Sequence, residues 1–248
     1  MKSTINKTLS AVAALVIGLA VSQFAVAQQA PAANTGWSGS GNFGLVKTTG
    51  NTQTESLILG LKFIREQDKW RHRAAANALS ADDKGVTTAQ RYGFEWQSDY
   101  KLDDKSWILG AFRYESDEFS AYDNQQTLTL GYGRNLIDNA VNKLAGEIGI
   151  GYRDSELAAT GISNSEAIFR GVLDYTHQLT DNSEFTNRLL VESGSDNTFI
   201  QNLAGLSVSM NDKFALKIGF EYRNNSDVPP GVDDTDTITS ANLVYKFQ

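Results

Sequence analysis

From residue 37 almost to the last residue, hydrophobic and polar side chains alternate along the chain with a period of two. Residues 55–65 place Leu57, Leu59, Leu61 and Phe63 on one side of the chain. The same alternation recurs in residues 91–100, 143–153 and 214–223. A period of two is typical of β-strands with one apolar and one polar face, and no segment after residue 36 has the period of an amphipathic helix. The sequence therefore predicts an all-β protein.

These segments are joined alternately by short and by longer polar connections. The short ones are built on Asp or Asn and lie at residues 67–69, 103–105, 138–139, 181–182 and 211–213. The longer ones lie around residues 48–54, 81–89, 117–123, 154–164, 194–197 and 224–235. The twelve segments between them begin near Trp37, Glu55, Trp70, Gln90, Ser106, Gln125, Lys143, Ser165, Ser183, Thr198, Phe214 and Asp236. A meander of this length exposes two edges unless it closes. We therefore predict a closed antiparallel up-and-down β-barrel of about 12 strands.

Alternation alone fits both a soluble barrel and an outer-membrane barrel, which differ in which face carries the apolar residues. Strands of about ten residues match a bilayer that is crossed at a tilt. Aromatic residues also collect near the short turns, as the interfacial girdle of a membrane barrel does. They are Trp70, Tyr100, Trp107, Tyr175, Phe185, Phe214 and Tyr245. These observations favour a transmembrane barrel.

The C-terminal segment carries a further signal. Leu243, Tyr245 and Phe247 alternate with polar or smaller residues and end almost at an aromatic residue. This pattern resembles the signal that the barrel-assembly machinery reads, although Gln248 follows the phenylalanine. An ordinary final strand is the alternative interpretation.

An apolar run near the N-terminus, residues 9–21, follows two lysines and precedes the small residues Ala25-Val26-Ala27. This is the pattern of a secretory signal peptide. A membrane anchor needs about 20 apolar residues, more than this run supplies. We predict a signal peptide over residues 1–27, a flexible lead-in over 28–36 and the barrel over 37–248. The predicted location is the outer membrane, after cleavage near Ala27.

Composition excludes several classes of protein. A formal net charge of -7 argues against a nucleic-acid partner, because such proteins present basic surfaces. The sequence has no cysteine, so disulfides and cysteine-based zinc sites are excluded. A mean hydropathy of -0.32 is too polar for a protein with several membrane-spanning helices.

Seven short motifs occur in an order that is similar to one family. They are Trp37-Ser38-Gly39-Ser40, Thr49-Gly50-Asn51-Thr52, Asp68-Lys69-Trp70-Arg71-His72, Gly131-Tyr132-Gly133, Gly151-Tyr152-Arg153, Gly194-Ser195-Asp196-Asn197-Thr198 and Pro229-Pro230-Gly231. The chain resembles the YdiY-like salt-induced outer-membrane proteins, grouped as domain-of-unknown-function family number 481, over nearly all of its length after the signal peptide. The resemblance implies an outer-membrane β-barrel of a Gram-negative bacterium. It implies no activity, because the family has no established biochemical function.

Charged residues occupy the polar face of many predicted strands, and they form the candidate lumen lining. They are Arg71, Arg73, Arg91, Glu95, Asp99, Glu147, Arg153, Glu166, Arg170, Asp174, Glu184, Arg188, Lys217, Glu221 and Arg223. Both signs occur in similar number, so we expect opposite charges to pair across strands. Such a mixture does not indicate a channel that selects one sign of charge.

Catalytic and metal-binding patterns are weak. The two histidines, His72 and His177, are far apart, and no serine pattern lies near His72 in sequence. A Ser–His lipid hydrolase is therefore disfavoured, and His72 is expected to be an interfacial residue beside Trp70. The acidic loop residues are Asp117, Glu118, Asp123, Asp227, Asp233, Asp234 and Asp236, and they lack the spacing of an EF-hand. We predict solvated loop charge, no cofactor, no metal and no catalysis.

The leading functional prediction is an outer-membrane barrel that serves in envelope stress or passes small solutes. Two alternatives are a lipid-modifying enzyme in the barrel wall and a secreted barrel that binds a ligand. Outer-membrane lipid and the barrel-assembly machinery are the predicted partners, and a nucleic acid is not.

Overall fold

The computed structural model describes residues 36–48 and 54–247, and these residues form twelve β-strands. The strands are β1 Trp37–Thr48, β2 Thr54–Glu66, β3 Trp70–Asp83, β4 Val86–Lys101, β5 Ser106–Asp117, β6 Tyr122–Asp138, β7 Asn142–Leu157, β8 Ser163–Thr180, β9 Ser183–Ser193, β10 Thr198–Ser209, β11 Phe214–Asn225 and β12 Thr235–Phe247. None of the described residues belongs to a helix that is long and apolar enough to cross a membrane. The predicted signal peptide, nearly all of the lead-in, and Gln248 lie outside the described residues.

Each strand pairs with its sequence neighbours in antiparallel fashion, and β12 pairs with β1 to close the barrel. The predicted closed up-and-down barrel of about 12 strands is therefore confirmed. We call the end with the turns after β2, β4, β6, β8 and β10 the turn side, and the opposite end the loop side. Both described termini of the barrel, Trp37 and Phe247, lie on the turn side.

One predicted loop is wrong. Residues 81–89 were expected to form a longer loop, but β3 continues to Asp83 and β4 begins at Val86. Only Lys84 and Gly85 connect them, with φ values of 52° and 79°. Two consecutive residues with positive φ are typical of a type I′ hairpin, which matches the twist of the strands it joins. The polar composition of the two strand ends concealed this hairpin.

The two faces of the wall are the inverse of those in a soluble protein. Large apolar side chains on the outer face are among the most exposed, with Phe169 at 74%, Leu130 at 70% and Ile148 at 69%. On the inner face, Asp99 and Arg153 are 0% exposed. An apolar exterior around a polar interior is the arrangement of a barrel solvated by lipid. The protein is thus a transmembrane barrel, and a soluble secreted barrel does not fit.

The aromatic residues near the turn side form ring contacts on the outer face. Trp70 meets Tyr100 edge to face at 5.1 Å, and Phe214 lies 5.2 Å from Tyr245. Trp107, which was also assigned to this girdle, is 4% exposed and faces the lumen. That assignment is wrong because β5 turns its odd-numbered residues inward, and Gly133 on β6 leaves room for the indole.

The contact between β1 and β12, which we call the seam, is shorter than the other strand pairs. Five residue pairs join these strands, from Gly39↔Phe247 to Phe43↔Leu243. By comparison, β11 and β12 share eleven pairs. On the loop side of Phe43, the described backbones of β1 and β12 are not paired with each other.

Candidate functional site

The structure places the predicted lumen charges on the inner face of the wall. Arg73, Glu95, Glu184 and Lys217 are half-buried and line internal cavities. The others are buried: Arg71, Arg91, Asp99, Glu147, Arg153, Glu166, Arg170, Asp174, Arg188, Glu221 and Arg223. Buried charges are stable only when they are paired, so the partners of these side chains define the site.

On the turn side of the lumen, Glu147 is the centre of an ion-pair cluster. Its carboxylate lies 3.0 Å from Arg73 Nη2 and 3.1 Å from Arg170 Nη1. Gln97 Nε2 donates a hydrogen bond to Glu147 at 2.9 Å, and Trp107 Nε1 donates another at 3.3 Å. Four donors therefore hold this single carboxylate.

Asp99 extends this turn-side cluster along β4. Arg71 Nε lies 2.7 Å from its carboxylate and Arg73 Nη2 lies 3.0 Å from it. Gln97 also donates to Asp99, at 2.8 Å, so it bridges the two acids. Arg73 is thus shared between Asp99 and Glu147, and the cluster behaves as one network.

A second cluster fills the loop side of the lumen. Its members are Arg91, Arg113, Glu115, Asp117, Glu192, Glu221 and Arg223. Phe199 lies between two of its guanidinium groups, with Arg113 Cζ 5.0 Å and Arg223 Cζ 5.1 Å from the ring centroid. Cation–π contacts of this kind stabilise arginines that are removed from water.

Four of the ion pairs cross the lumen, because they join strands that have at least three other strands between them. Arg73 on β3 reaches Glu147 on β7, and Arg91 on β4 reaches Glu221 on β11 at 3.1 Å. The other two crossing pairs are Arg113–Glu192 and Arg223–Glu115. Cavities of about 20 Å³ remain beside these side chains, which is room for about one water each. The ion pairs therefore obstruct the axial path at two levels.

The ion pairs of the lumen balance in sign. Among the described residues, eight arginines take part: Arg71, Arg73, Arg91, Arg113, Arg153, Arg170, Arg188 and Arg223. Eight acids face them: Asp99, Glu115, Asp117, Glu147, Glu166, Asp174, Glu192 and Glu221. Sequence reasoning did not include Arg113, Glu115, Asp117 or Glu192 in the lumen. The parity rule that selected the others would have found all four.

Arg153 and Glu166 fasten a loop over the lumen. Their side chains pair, and Arg153 also donates to the backbone carbonyl of Asn197 in the β9–β10 loop. The backbone N–H of Asp196 donates to Glu166 at 2.8 Å. A Cβ atom at Gly194 would lie 1.9 Å from the Glu166 carboxylate, so a larger residue would have to displace the carboxylate that pairs with Arg153. The loop is therefore fixed to the charged lining.

A much larger cavity opens at the turn side. This vestibule has a volume of about 1100 Å³ and is lined by β1, β2 and β9–β12 with their turns. Lys62, Lys217 and Glu184 line it, and Asn42 and Asn242 on the two seam strands also line it. Asn242 Oδ1 is buried and has no hydrogen-bond partner among the described residues.

The structure corrects the expectation that no serine lies near His72. Ser98 on β4 is the register partner of His72 on β3, and its Oγ lies 2.9 Å from His72 Nδ1. Trp96 Nε1 donates to the same hydroxyl at 2.9 Å, and Trp70 stacks on the imidazole at 5.8 Å. The two residues are 26 positions apart, so only strand register brings them together.

The remaining sequence candidates are dispersed. His177 Nδ1 lies 2.8 Å from Asn142 Oδ1, and Tyr175 donates to the same amide oxygen. Of the acidic loop residues, Asp117 lies 3.8 Å from Arg91 and belongs to the loop-side cluster. Within residues 36–48 and 54–247, no group of three His, Asp or Glu side chains is arranged to hold a metal ion.

The three residues of the predicted assembly signal share the outer face of β12. Leu243 and Tyr245 are 42% and 41% exposed, and Phe247 lies 5.6 Å from Phe63. All three pair with β1 residues in the closed part of the seam. Their role in assembly stays a prediction.

Comparison with known proteins gives a family and a fold. A family model described as "Protein of unknown function, DUF481" matches residues 41–247. Uncharacterized protein YdiY of Escherichia coli (strain K12) is 26% identical over 229 residues, which cover 91% of this chain and 89% of that protein.

Two solved structures share the fold. The NanC porin matches with a TM-score of 0.52 at 13% identity, covering 86% of this chain and 100% of that chain. An outer membrane channel from Pseudomonas putida F1 matches with a TM-score of 0.53 at 7% identity, covering 85% of this chain and 95% of that chain. The architecture is therefore that of an outer-membrane β-barrel.

Proposed function

The chain belongs to the DUF481 family, and we propose that this outer-membrane barrel is a narrow pore for small polar solutes. The observation that supports the proposal is the lumen itself: an open vestibule of about 1100 Å³ leads to a constriction built from arginine–carboxylate pairs. A polar lining provides hydrogen-bonding partners for a hydrated solute, whereas the crossing pairs limit its size. The stress-related role stays a prediction.

The balanced lining favours weak charge selectivity in the unmodified pore. Conductance across a planar bilayer tests this, with salts whose ions differ in size and charge. We expect small conductance steps with nearly equal permeability to small cations and anions. Absence of conductance above that of a protein-free bilayer would refute the pore.

A double variant tests whether the turn-side cluster is the constriction. Asp99→Asn with Glu147→Gln leaves Arg71, Arg73 and Arg170 without their acids, so the pore should prefer anions. Glu118→Gln is the control, because Glu118 is exposed at the loop side. Unchanged selectivity in the double variant would show that ions do not pass this cluster.

We further propose that residues 1–27 are cleaved and that the turn side faces the periplasm. An even strand count puts both ends of the barrel on one side, and short turns are typical of the periplasmic side. A cysteine at Gly161 or Gly231, both in loops, should react with an impermeant maleimide on intact cells. A cysteine at Asp104 or Asp212 should react only after permeabilisation. The reverse pattern would overturn the orientation.

Assembly by the barrel-assembly machinery is proposed from Phe247. Replacing Phe247 with Ser should reduce the heat-modifiable, folded form in the outer membrane far more than replacing Gln248 with Ser. Equal amounts of folded protein from both variants would remove the targeting argument.

The contact between His72 and Ser98 favours one second candidate, a lipid hydrolase in the wall. The pair faces outward beside Trp70 and Trp96, where it would meet lipid at the turn side. In the described part of the chain, no carboxylate or amide is hydrogen-bonded to the imidazole, so the orienting third member of a triad is missing. Phospholipid hydrolysis that Ser98→Ala abolishes would establish this activity, and we expect none.

A further inference from the structure

The vestibule ends beside the unpaired part of the seam. Asn42 and Asn242 line the vestibule, and they lie at the level where the ladder between β1 and β12 stops. The axial path beyond is crossed by ion pairs such as Arg73–Glu147 and Arg91–Glu221. The unpaired part of the seam therefore begins where the vestibule ends, before the path reaches the charged constriction.

Among the described residues, the backbone at this place is an open edge. Residues 44–48 of β1 and 235–242 of β12 are not paired with each other, although both strands keep their other partners. An unpaired edge within a membrane is costly, because lipid offers no hydrogen bonds to backbone groups. Closed barrels normally avoid such an edge, so its presence at the seam indicates a functional role.

Apolar side chains close the seam from the inside. Ile58 on β2 is 1% exposed and packs with Leu79 on β3, and Ile238 on β12 packs against this pair across the seam. Among the described residues, the lumen ion pairs involve neither β1 nor β12. Separating these strands therefore breaks dispersion contacts and exposes apolar surface, and it leaves the buried charges paired.

The outer surface of β12 differs from its neighbour at the same level. Thr237, Thr239 and Ala241 are exposed there, whereas their partners on β11 are Tyr222, Phe220 and Ile218. Small side chains therefore flank the unpaired edge on the outer face, where β11 carries large ones. Asn242 is buried where the strands part, and its Oδ1, which has no hydrogen-bond partner among the described residues, supplies a polar group at the inner face of the seam.

We propose that the β1–β12 seam is a lateral gate through which a single-chain amphipathic molecule moves between the vestibule and the membrane. The polar end of the molecule lies in the vestibule near Asn242, and its hydrocarbon chain passes Ile58 and Ile238. This route goes beyond the proposed axial pore and does not depend on it, because the two paths diverge before the constriction.

Locking the seam tests the gate in the mature chain reconstituted into phospholipid vesicles. The sequence has no cysteine, so Leu45→Cys with Ala241→Cys supplies the only thiols. These positions would pair if the ladder continued past Phe43↔Leu243. A short bismaleimide then joins the two seam strands. The matched control is Ile218→Cys with Ala241→Cys, which joins register partners on β11 and β12.

The probe is a neutral twelve-carbon fatty alcohol that carries a photoreactive diazirine, and labelled peptides are mapped by mass spectrometry. We expect labelling of lumen-facing Ile58 and Asn242 in the unmodified protein and in the cross-linked control, and loss of that labelling in the locked seam. Heat-modifiable migration verifies that every variant is folded. Labelling confined to outward-facing residues in the unmodified protein, or lumen labelling that the seam lock leaves unchanged, would overturn the proposal.

A second variant is designed to open the seam, whereas the cross-link closes it. A Cβ atom at Gly44 would lie 2.6 Å from Asn242 Oδ1 and 3.3 Å from both the Ala241 carbonyl oxygen and Ile58 Cδ1, so Gly44→Ala should displace the Asn242 side chain, loosen the seam and increase lumen labelling. At Gly41, a Cβ atom would meet only ordinary contacts, the nearest at 3.6 Å, and Gly41→Ala is the control. Equal labelling of the two folded variants would contradict a gate at this position.

Discussion

From β3 to β11 the wall is joined by long backbone ladders and the lumen is crossed by ion pairs, whereas at the seam five residue pairs and a few apolar side chains hold β1 to β12. The β6–β7 ladder, for example, runs from Tyr122↔Leu157 to Asp138↔Lys143. Separating the charged sector would expose buried charges and break backbone bonds, both of which are costly. Separating the seam breaks at most this short ladder and apolar contacts, and it leaves the buried charges paired. The barrel thus has one sector that resists opening and one that opens more easily.

The largest effect should come from the centre of the turn-side cluster. Glu147→Gln keeps the shape of the side chain but leaves Arg73 and Arg170 short of a negative charge. Removing one partner of a buried ion pair typically costs about 3–5 kcal/mol. Guanidinium-induced unfolding from vesicles measures the change, with exposed Glu118→Gln as the control. A loss similar to that of the control would mean that the cluster contributes little to stability.

Truncating an apolar side chain at the seam should lower the free energy of unfolding by less. Ile58→Ala removes buried apolar atoms next to Leu79 and Ile238, and such truncations cost about 2–5 kcal/mol where the site is well packed. We expect a value near the lower limit, because the seam is already short of backbone bonds. The same unfolding measurement applies, together with faster amide exchange in residues 235–242. A loss larger than that of Glu147→Gln would reverse the comparison between the sectors.

Phe199 tests the loop-side cluster. Its ring lies between Arg113 and Arg223, and Phe199→Leu keeps an apolar side chain while it removes both cation–π contacts. We expect the free energy of unfolding to fall by about 1–2 kcal/mol. Val172→Ala, in the same apolar cluster but outside those cation–π contacts, separates general packing from the arginine contacts. If Phe199→Leu leaves the unfolding midpoint unchanged, the ring serves only to fill space.

The smallest effect concerns the β4–β5 turn, which is exposed and lies away from the ion-pair clusters and the seam. The Asp103 carboxylate accepts hydrogen bonds from the backbone N–H groups of Lys105 and Ser106, and the bond from Lys105 is the main cause of its lowered pKa. A lowered pKa in the folded state stabilises the fold above the ordinary aspartate pKa, and this contribution is lost as pH falls through the lowered value.

Asp103→Asn, which keeps an acceptor but does not titrate, isolates this contribution. The difference in unfolding midpoint between the unmodified protein and this variant should be constant near neutral pH and shrink only in strong acid. Asp104→Asn in the same turn is the control. A difference that is independent of pH would contradict the lowered pKa.

Alternation and turn residues were enough to predict most of this fold. The start of β1, β3, β5, β9, β10 and β11 was predicted to the residue, because a turn or an aromatic residue marks each of them. The loop at residues 81–89 was wrong because polarity marks a strand end on the loop side as readily as a loop. Trp107 lies near a turn, as girdle aromatics do, but its odd-numbered position in β5 turns it into the lumen.

The sequence by itself determined which residues share a face, since a strand turns alternate side chains to opposite sides. That parity selected the charged lining, and it applies equally to Arg113 and Glu192, which were overlooked. Only the closed barrel decided which charges meet, because pairs such as Arg91–Glu221 depend on the strand order, tilt and diameter of the whole ring. The same holds for His72 with Ser98 and for the short seam. Both follow from register, which is set where two distant strands come together and is not visible along either strand alone.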